Sequence, residues 1–201
     1  MQMKTSTTIL TAILTAGLFS LTADTETETA AKIVAEQKLP NQVRNGSFDS
    51  SQNNTSASGW AFWKEDKSQG KVRYETNIGV DQSPAAVLSG GDGTLFGSAK
   101  IQGGETIYVR IKAKKIGTGD ARLAIRFQKA DRKWLPGKKF SATKNIVFST
   151  DKEWTVVELV VKAPPHAKIA VPIFGVKNVG SPESQFIVDD VELYILPNPD
   201  K

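Results

Sequence analysis

The sequence predicts an all-β protein, a β-sandwich of jelly-roll type with two antiparallel sheets. Alternating apolar and polar residues dominate from residue 41 onward, turns rich in Gly and Asn interrupt them at short intervals, and no helical periodicity follows residue 40. The predicted strands are Val43–Phe48, Trp60–Lys64, Val72–Thr76, Ala85–Ser89, Phe96–Gln102, Thr106–Ala113, Arg122–Gln128, Trp154–Val161, Lys168–Phe174 and Phe186–Ile195.

The same alternation assigns a face to each strand residue, because successive side chains of a strand point to opposite sides of the sheet. The residues predicted to face the core include Ile107, Val109, Ile111, Leu123, Ile125, Phe127, Ile169, Val171 and Ile173. Polar and charged residues occupy the outward positions of the same middle strands. A proline within a strand removes a ladder donor, so Pro172 indicates a sheet edge or a bulge.

The N-terminus has the pattern of an export signal. A short positive region at Lys4 precedes an apolar run from Ile9 to Leu21, which is too short to span a membrane. We therefore expect a signal peptide at 1–23, a polar linker at 24–40 with a marginal helix near 30–38, the sandwich at 41–196 and a tail at 197–201. The mature protein is expected to be secreted, extracellular or periplasmic, with no membrane insertion.

Composition narrows the chemistry. The chain has no cysteine, which excludes disulfides and thiolate metal sites, and its single histidine, His166, follows two prolines in a predicted solvated turn. A net charge of +5 favours an acidic partner, either nucleic acid or an acidic polysaccharide. Export and the lack of a basic helix argue against nucleic acid. We expect a monomer.

Motifs at both ends of the predicted sandwich resemble a known family. The first is Val43-Arg44-Asn45-Gly46-Ser47-Phe48-Asp49 with Ser58-Gly59-Trp60, the second is Trp154 to Val161 with Ala163-Pro164, and the third is Phe186-Ile187-Val188-Asp189-Asp190-Val191-Glu192-Leu193. In this order and spacing they resemble the CenC-like carbohydrate-binding modules, families 4 and 9 with their relatives 16 and 22, which are galactose-binding-like jelly rolls. The resemblance covers residues 41–196 and implies a non-catalytic module that binds a polysaccharide.

The resemblance also implies a structural calcium ion where the first and last strands meet. Its ligands would be Asp189, with oxygens from Ser47 and Asp49. One of the adjacent residues Asp189 and Asp190 should face inward, and a buried carboxylate needs a partner. The alternative is that both aspartates face solvent at a strand end.

Sugar binding requires exposed aromatic rings with polar neighbours. The resemblance assigns stacking rings to Trp63 and Trp134 and structural positions to Trp60 and Trp154. It also places the cleft on the outer face of the middle strands, which here carries Tyr108, Arg110, Lys112, Arg122, Arg126, Gln128 and Lys168. Because arginine pairs well with carboxylate or sulfate, we expect an anionic glycan. The alternative is that these cations only solubilise an exposed sheet.

Two other functions stay open. A jelly-roll glycoside hydrolase would need two facing carboxylates, drawn from Glu65, Asp66, Glu158 and Glu183, and none of these has a partner by spacing. A polysaccharide lyase would use Tyr108 beside Arg110, with His166 as a distant helper. The remaining alternative is an extracellular matrix or adhesion protein that uses the sandwich as a scaffold.

Overall fold

The computed structural model describes residues 14–52, 54–136 and 141–198. Within these residues the chain forms one long α-helix, α1 (Leu14–Gln37), a short 3-10 turn at Val80–Gln82 and thirteen β-strands. The strands are β1 (Ser51–Gln52), β2 (Ser56–Ala57), β3 (Ala61–Trp63), β4 (Lys71–Glu75), β5 (Ala85–Ser89), β6 (Gly93–Phe96), β7 (Ala99–Lys100), β8 (Thr106–Ile116), β9 (Asp120–Gln128), β10 (Ser141–Ile146), β11 (Thr155–Lys162), β12 (Ile169–Lys177) and β13 (Gln185–Leu196).

The long strands form two sheets that face each other. The front sheet has the order β10-β9-β12-β6-β3, with β7 also pairing with β12, and the back sheet has the order β11-β8-β13-β5-β4. The pairings within both sheets are antiparallel. The predicted jelly-roll sandwich is therefore confirmed.

The core lies between the inner faces of the two sheets. Strand β9 contributes Leu123, Ile125 and Phe127 from the front, and β8 contributes Ile107 and Val109 from the back, all at most 1% exposed. Each of these residues alternates with an outward one, as the period of a strand requires. The predicted inward faces of these two strands are confirmed.

Strand β12 has the opposite phase from the one predicted. Ile169, Val171 and Ile173 pair across β9 with Gln128, Arg126 and Ala124, all on the outer face of the front sheet. Its core residues are instead Ala170, Phe174 and Val176. Both faces of β12 are apolar, so the alternation of apolar and polar residues could not show which face points into the core.

The predicted strand Phe96–Gln102 is split at the point where Pro172 lies. Strand β6 pairs with residues 173–176 of β12 and β7 with residues 169–170, which leaves Pro172 opposite the break. The O atom of Pro172 still accepts a hydrogen bond from Gly97 N. The proline therefore lies inside the sheet and marks an interruption in the neighbouring strand. The sequence had indicated either a sheet edge or a bulge at this position.

Two further strand predictions differ from the structure. The predicted strand Val43–Phe48 forms turns, with positive φ at Asn45 and Phe48, although Gly46 O accepts from Val191 N and ties it to β13. Strand β10 was missed, because its sequence is mostly polar and it pairs on one side only.

The segment predicted as a linker is largely helical. Helix α1 runs through residues 24–37 and contacts β8, β11 and β13 of the back sheet, and Thr27 and Ala30 are buried. Packing against a sheet supplies the stabilisation that an isolated short helix lacks. Residues 1–13 of the predicted signal peptide lie outside the described residues, and export stays a prediction. Among the described helices, none combines the length and apolar character that a membrane crossing requires.

Candidate functional site

The outer face of the front sheet carries a row of residues that starts at Trp63. The strand register places Trp63 of β3 beside Thr94 of β6, then Gly175 of β12, Arg122 of β9 and Asn145 of β10. Trp63 is 57% exposed. It lies outward because its neighbour Phe62 packs on the core from the other face of the same strand.

Trp134 lies at the opposite corner of this face. A tight loop follows β9, closed by a hydrogen bond from Lys129 N to Lys133 O, and it brings Trp134 into an antiparallel bridge with Gln128. The next residue, Leu135, points into the core, so Trp134 points outward and is 40% exposed. The Arg126 guanidinium lies 4.2 Å from the centre of the Trp134 ring and orients it by a cation–π contact.

The two tryptophans lie too far apart for one small molecule to touch both. They are separated by four strand spacings across the sheet and about six residues along it, which gives roughly 25 Å. We call the outer face of the front sheet between Trp63 and Trp134 the front groove.

Three cavities lie along the front groove. One of about 380 Å³, here called the Arg132 cavity, is lined by Gly59, Trp60, Ala61, Phe96, Gly97, Ser98, Gln128, Arg132, Ile169 and Val171. One of about 250 Å³, the Trp63 cavity, is lined by Trp63, Lys64, Glu65, Asp92, Gly93, Thr94, Arg122, Gly175, Val176 and Lys177. The Asn145 cavity of about 480 Å³ shares Arg122, Gly175 and Lys177 with the Trp63 cavity. Together they combine aromatic, amide and cationic groups on one open face, the composition that a sugar chain requires.

A glycine in β12 shapes the floor between two of these cavities. A Cβ atom at Gly175 would lie 3.3 Å from Arg122 Nε and 3.5 Å from Arg122 Cγ. Arg122 therefore lies low across the neighbouring strand, where it is accessible from both the Trp63 and the Asn145 cavities. Glycine inside a strand is unfavourable unless something must approach the backbone closely.

The cations of the two outer faces differ in their partners. On the back sheet, Arg110 lies 3.5 Å from both Glu158 and Glu192, and Lys112 lies 2.9 Å from Asp190. Within the described residues, neither Arg122 nor Arg126 of the front groove forms an ion pair with a carboxylate. The front groove thus presents guanidinium groups whose charge is not neutralised by a partner.

The prediction that all the outward cations share one cleft is wrong. Tyr108, Arg110 and Lys112 lie on β8 in the back sheet, on the opposite side of the sandwich from Arg122, Arg126 and Gln128 on β9. Alternation shows which face of a strand is outward but not which sheet the strand joins. Lys168 lies just before β12 at one end of the front sheet, where its Nζ donates to Gln102 Oε1 at 2.5 Å.

The burial of Tyr108 argues against its use as a lyase base. Its side chain is 1% exposed and its hydroxyl donates to Glu158 Oε1. Burial, followed by the hydrogen bond and negative charge of Glu158, raises the pKa of Tyr108, so the phenol stays protonated at neutral pH. A base must be accessible and able to accept a proton, and Tyr108 is neither.

The residues predicted as calcium ligands, Asp189, Ser47 and Asp49, have hydrogen-bond partners in the structure. Asp189 is fully buried, but its carboxylate accepts hydrogen bonds from Val80 N, Ser83 Oγ and Asp190 N. Burial raises the pKa of Asp189, and these hydrogen bonds oppose the shift. Ser47 Oγ donates instead to Asp49 Oδ2 at 2.5 Å. These hydrogen-bond donors are the partners that the sequence required for a buried carboxylate at Asp189.

A second observation concerns the distribution of acidic and histidine side chains. No group of three or more His, Asp or Glu side chains in the described part of the chain could hold a metal ion. Calcium also accepts oxygens from backbone carbonyls and water, so the predicted calcium ion stays a prediction.

The two remaining tryptophans have different surroundings. Trp60 packs 5.0 Å from the Phe48 ring and its indole nitrogen donates to Asn45 O, which agrees with a structural position. Trp154 is half-buried outside the main core, on a small apolar cluster of the back sheet, with Lys114 Nζ 4.5 Å from its ring centre.

The fold defined by these sheets is the jelly roll of carbohydrate-binding modules. The family 16 carbohydrate-binding module matches with a TM-score of 0.53 and 14% identity over 76% of this chain and 99% of that one. Modules of families 4, 22 and 61 match as well. The fold part of the predicted resemblance is confirmed.

Catalytic proteins share the same fold. The enzymatically active domain of tailspike protein 4 of bacteriophage CBA120 matches with a TM-score of 0.58 and 20% identity, over 78% of this chain but only 21% of that chain. A cyclase from Fischerella sp. TAU matches with a TM-score of 0.55 and 13% identity, over 79% of this chain and 97% of that one. No protein-family model and no curated protein matches the sequence. At these identities the likeness shows the fold and leaves the function to be argued from the site.

Proposed function

We propose that this protein is a secreted, non-catalytic module that binds an anionic polysaccharide in the front groove. The observation on which the proposal depends is the pairing of two exposed indoles, Trp63 and Trp134, with two arginines that lack carboxylate partners among the described residues, Arg122 and Arg126. The fold shared with several families of carbohydrate-binding modules supports it.

The chemistry of the groove suits a charged sugar chain. Indole rings stack on the apolar C–H faces of sugars, and guanidinium groups bind carboxylate or sulfate by paired, charge-assisted hydrogen bonds. The separation of roughly 25 Å between the indoles suits a polymer of several units. The lyase alternative loses support, because Tyr108 is buried. Glu158, one of the carboxylates considered for a hydrolase, is paired with Arg110 on the back sheet, away from the front groove.

Affinity gel electrophoresis tests the proposal. The full chain would be run in gels that contain a uronate polymer, a sulfated polymer, cellulose or xylan, beside Trp63→Ala and Trp134→Ala. We expect retardation by an acidic polymer, lost in both variants at an unchanged melting temperature. Trp154→Phe, which changes an indole of the back sheet, is the matched control and should be retarded like the wild type.

The outcomes separate the competing functions. Retardation by neutral polymers alone would refute the anionic ligand and keep the binding module. Unchanged behaviour of both groove variants in every gel would refute the binding site and favour the scaffold role.

A further inference from the structure

The front groove has two ends of different electrostatic character. The Arg132 cavity and the adjoining Arg126–Trp134 pair form one end, here called the basic end. The Trp63 and Asn145 cavities form the other, here called the mixed end.

The described residues that line the cavity of the basic end include no carboxylate. Among the described residues, the Arg132 cavity has Arg132 as its one charged lining residue, with Gln128 and Ser98 as polar neighbours. Arg126 adds a second guanidinium, which is held over the Trp134 ring. The nearest acidic residue along the loop, Asp131, already lies 3.1 Å from Lys133 Nζ.

The mixed end carries both signs of charge in equal number. Its cations are Lys64, Arg122 and Lys177, and its carboxylates are Glu65, Asp92 and Asp120. Two of these groups have partners already, because Lys64 Nζ donates to Ser68 O and Asp120 Oδ2 accepts from Asn178 Nδ2. A ligand carboxylate placed here would meet Glu65 and Asp92 as well as Arg122, so attraction and repulsion offset each other.

From this asymmetry we infer that the groove selects a heteropolysaccharide whose chain carries both charged and neutral sugars, with an acidic unit at the basic end and a neutral unit at the mixed end. The inference rests on the proposed function and names the substrate class within it. A polymer in which every unit is charged would gain contacts at the basic end and lose them at the mixed end.

The test measures the contribution of charge separately at each end. Isothermal titration of the full chain would use hyaluronan, in which uronate alternates with a neutral acetamido sugar, and the same polymer after its carboxyl groups are reduced to alcohols. The ratio of the two affinities reports charge alone, because both polymers keep the same backbone for stacking.

Two double variants remove the same charge from opposite ends of the groove. In Arg126→Gln with Arg132→Gln we expect the affinity ratio to fall about tenfold or more, as loss of charge-assisted hydrogen bonds implies. In Arg122→Gln with Lys177→Gln the ratio should fall less, by about threefold, because Glu65 and Asp92 at that end already offset part of the charge of these cations. Equal falls in the two double variants, or a larger fall in Arg122→Gln with Lys177→Gln, would overturn the inference.

A gain of affinity gives an independent readout. Glu65→Gln with Asp92→Asn removes the repulsion at the mixed end, so affinity for alginate, in which every unit is a uronate, should rise about threefold or more. No rise would overturn the assignment of the neutral unit to that end. If the wild type binds none of these polymers, and Trp63→Ala and Trp134→Ala change nothing, the proposed function itself fails.

Discussion

The three tyrosines of the chain should make the fold sensitive to alkali. Burial raises the pKa of Tyr74 from its ordinary value of 10.0 to about 12, and burial also raises the pKa of Tyr108 and Tyr194. Since these pKa values are higher in the folded state than in the unfolded state, the tyrosines contribute stability that is fully present below pH 10. That stability is lost as the pH rises from 10 through the folded pKa.

The loss caused by Tyr74 follows from its shift of about two pH units. Each unit costs the folded state roughly 1 kcal/mol, so the free energy of unfolding falls by up to about 3 kcal/mol over the interval. Tyr74 is 3% exposed, so solvent screening reduces this little. Tyr74→Phe keeps the ring contact with Phe48 at 5.7 Å and removes the ionisable group.

Urea unfolding of the wild type and of Tyr74→Phe at pH 8 and about pH 11 measures the part of the stability loss that the ionisation of Tyr74 causes. The wild type should lose roughly 1 kcal/mol more than the variant between these conditions. Phenolate absorbance should rise only as the wild type unfolds. Parallel loss of stability in both proteins, or phenolate formation near pH 10 in the folded protein, would refute the argument.

Three substitutions test other parts of the fold. Asp189→Ala leaves the Val80 amide without its buried acceptor and should cost about 2–4 kcal/mol in calorimetric unfolding; a cost under about 1 kcal/mol would contradict the buried network. Gly46→Ala places a Cβ 2.0 Å from a backbone oxygen of β13 and should cost more than about 3 kcal/mol, or prevent folding, as circular dichroism would show. Gly175→Ala places a Cβ 3.3 Å from the flexible Arg122 side chain and at an ordinary contact distance of 3.7 Å from Thr94 Oγ1, so the melting temperature should hold while affinity for an acidic polymer falls; full affinity would show that the groove floor is not used.

The sequence determines which face of a strand is buried better than it determines which sheet the strand joins. Leu123 and Ile107 alternate with arginine and tyrosine in the same way, so β9 and β8 were indistinguishable until their partners were known. The consequence for the site is that, of these two strands, β9 contributes to the front groove and β8 does not. The resemblance assigned Trp63 and Trp134 as exposed rings. The structure accounts for their exposure, because each lies one position away from a residue that packs on the core, Phe62 and Leu135 respectively.

Other features depend on contacts that no local pattern contains. Asp189 accepts hydrogen bonds from Val80 and Ser83, more than 100 positions away in the chain. The polar sequence of β10 becomes a strand because β9 offers it a free edge. Arg132 lines the basic end from a loop, and its own φ is 63°. The alternation of apolar and polar residues does not predict this backbone geometry.

The position of helix α1 limits the valency of the molecule. The helix lies against β8, β11 and β13, and the cations next to it on β8 are already paired with carboxylates. In the described part of the chain, helix α1 therefore covers part of the back sheet, and the front groove lies on the other sheet. Under the proposed function, a solitary copy would decorate a polysaccharide without crosslinking it, and avid attachment would require several copies tethered together.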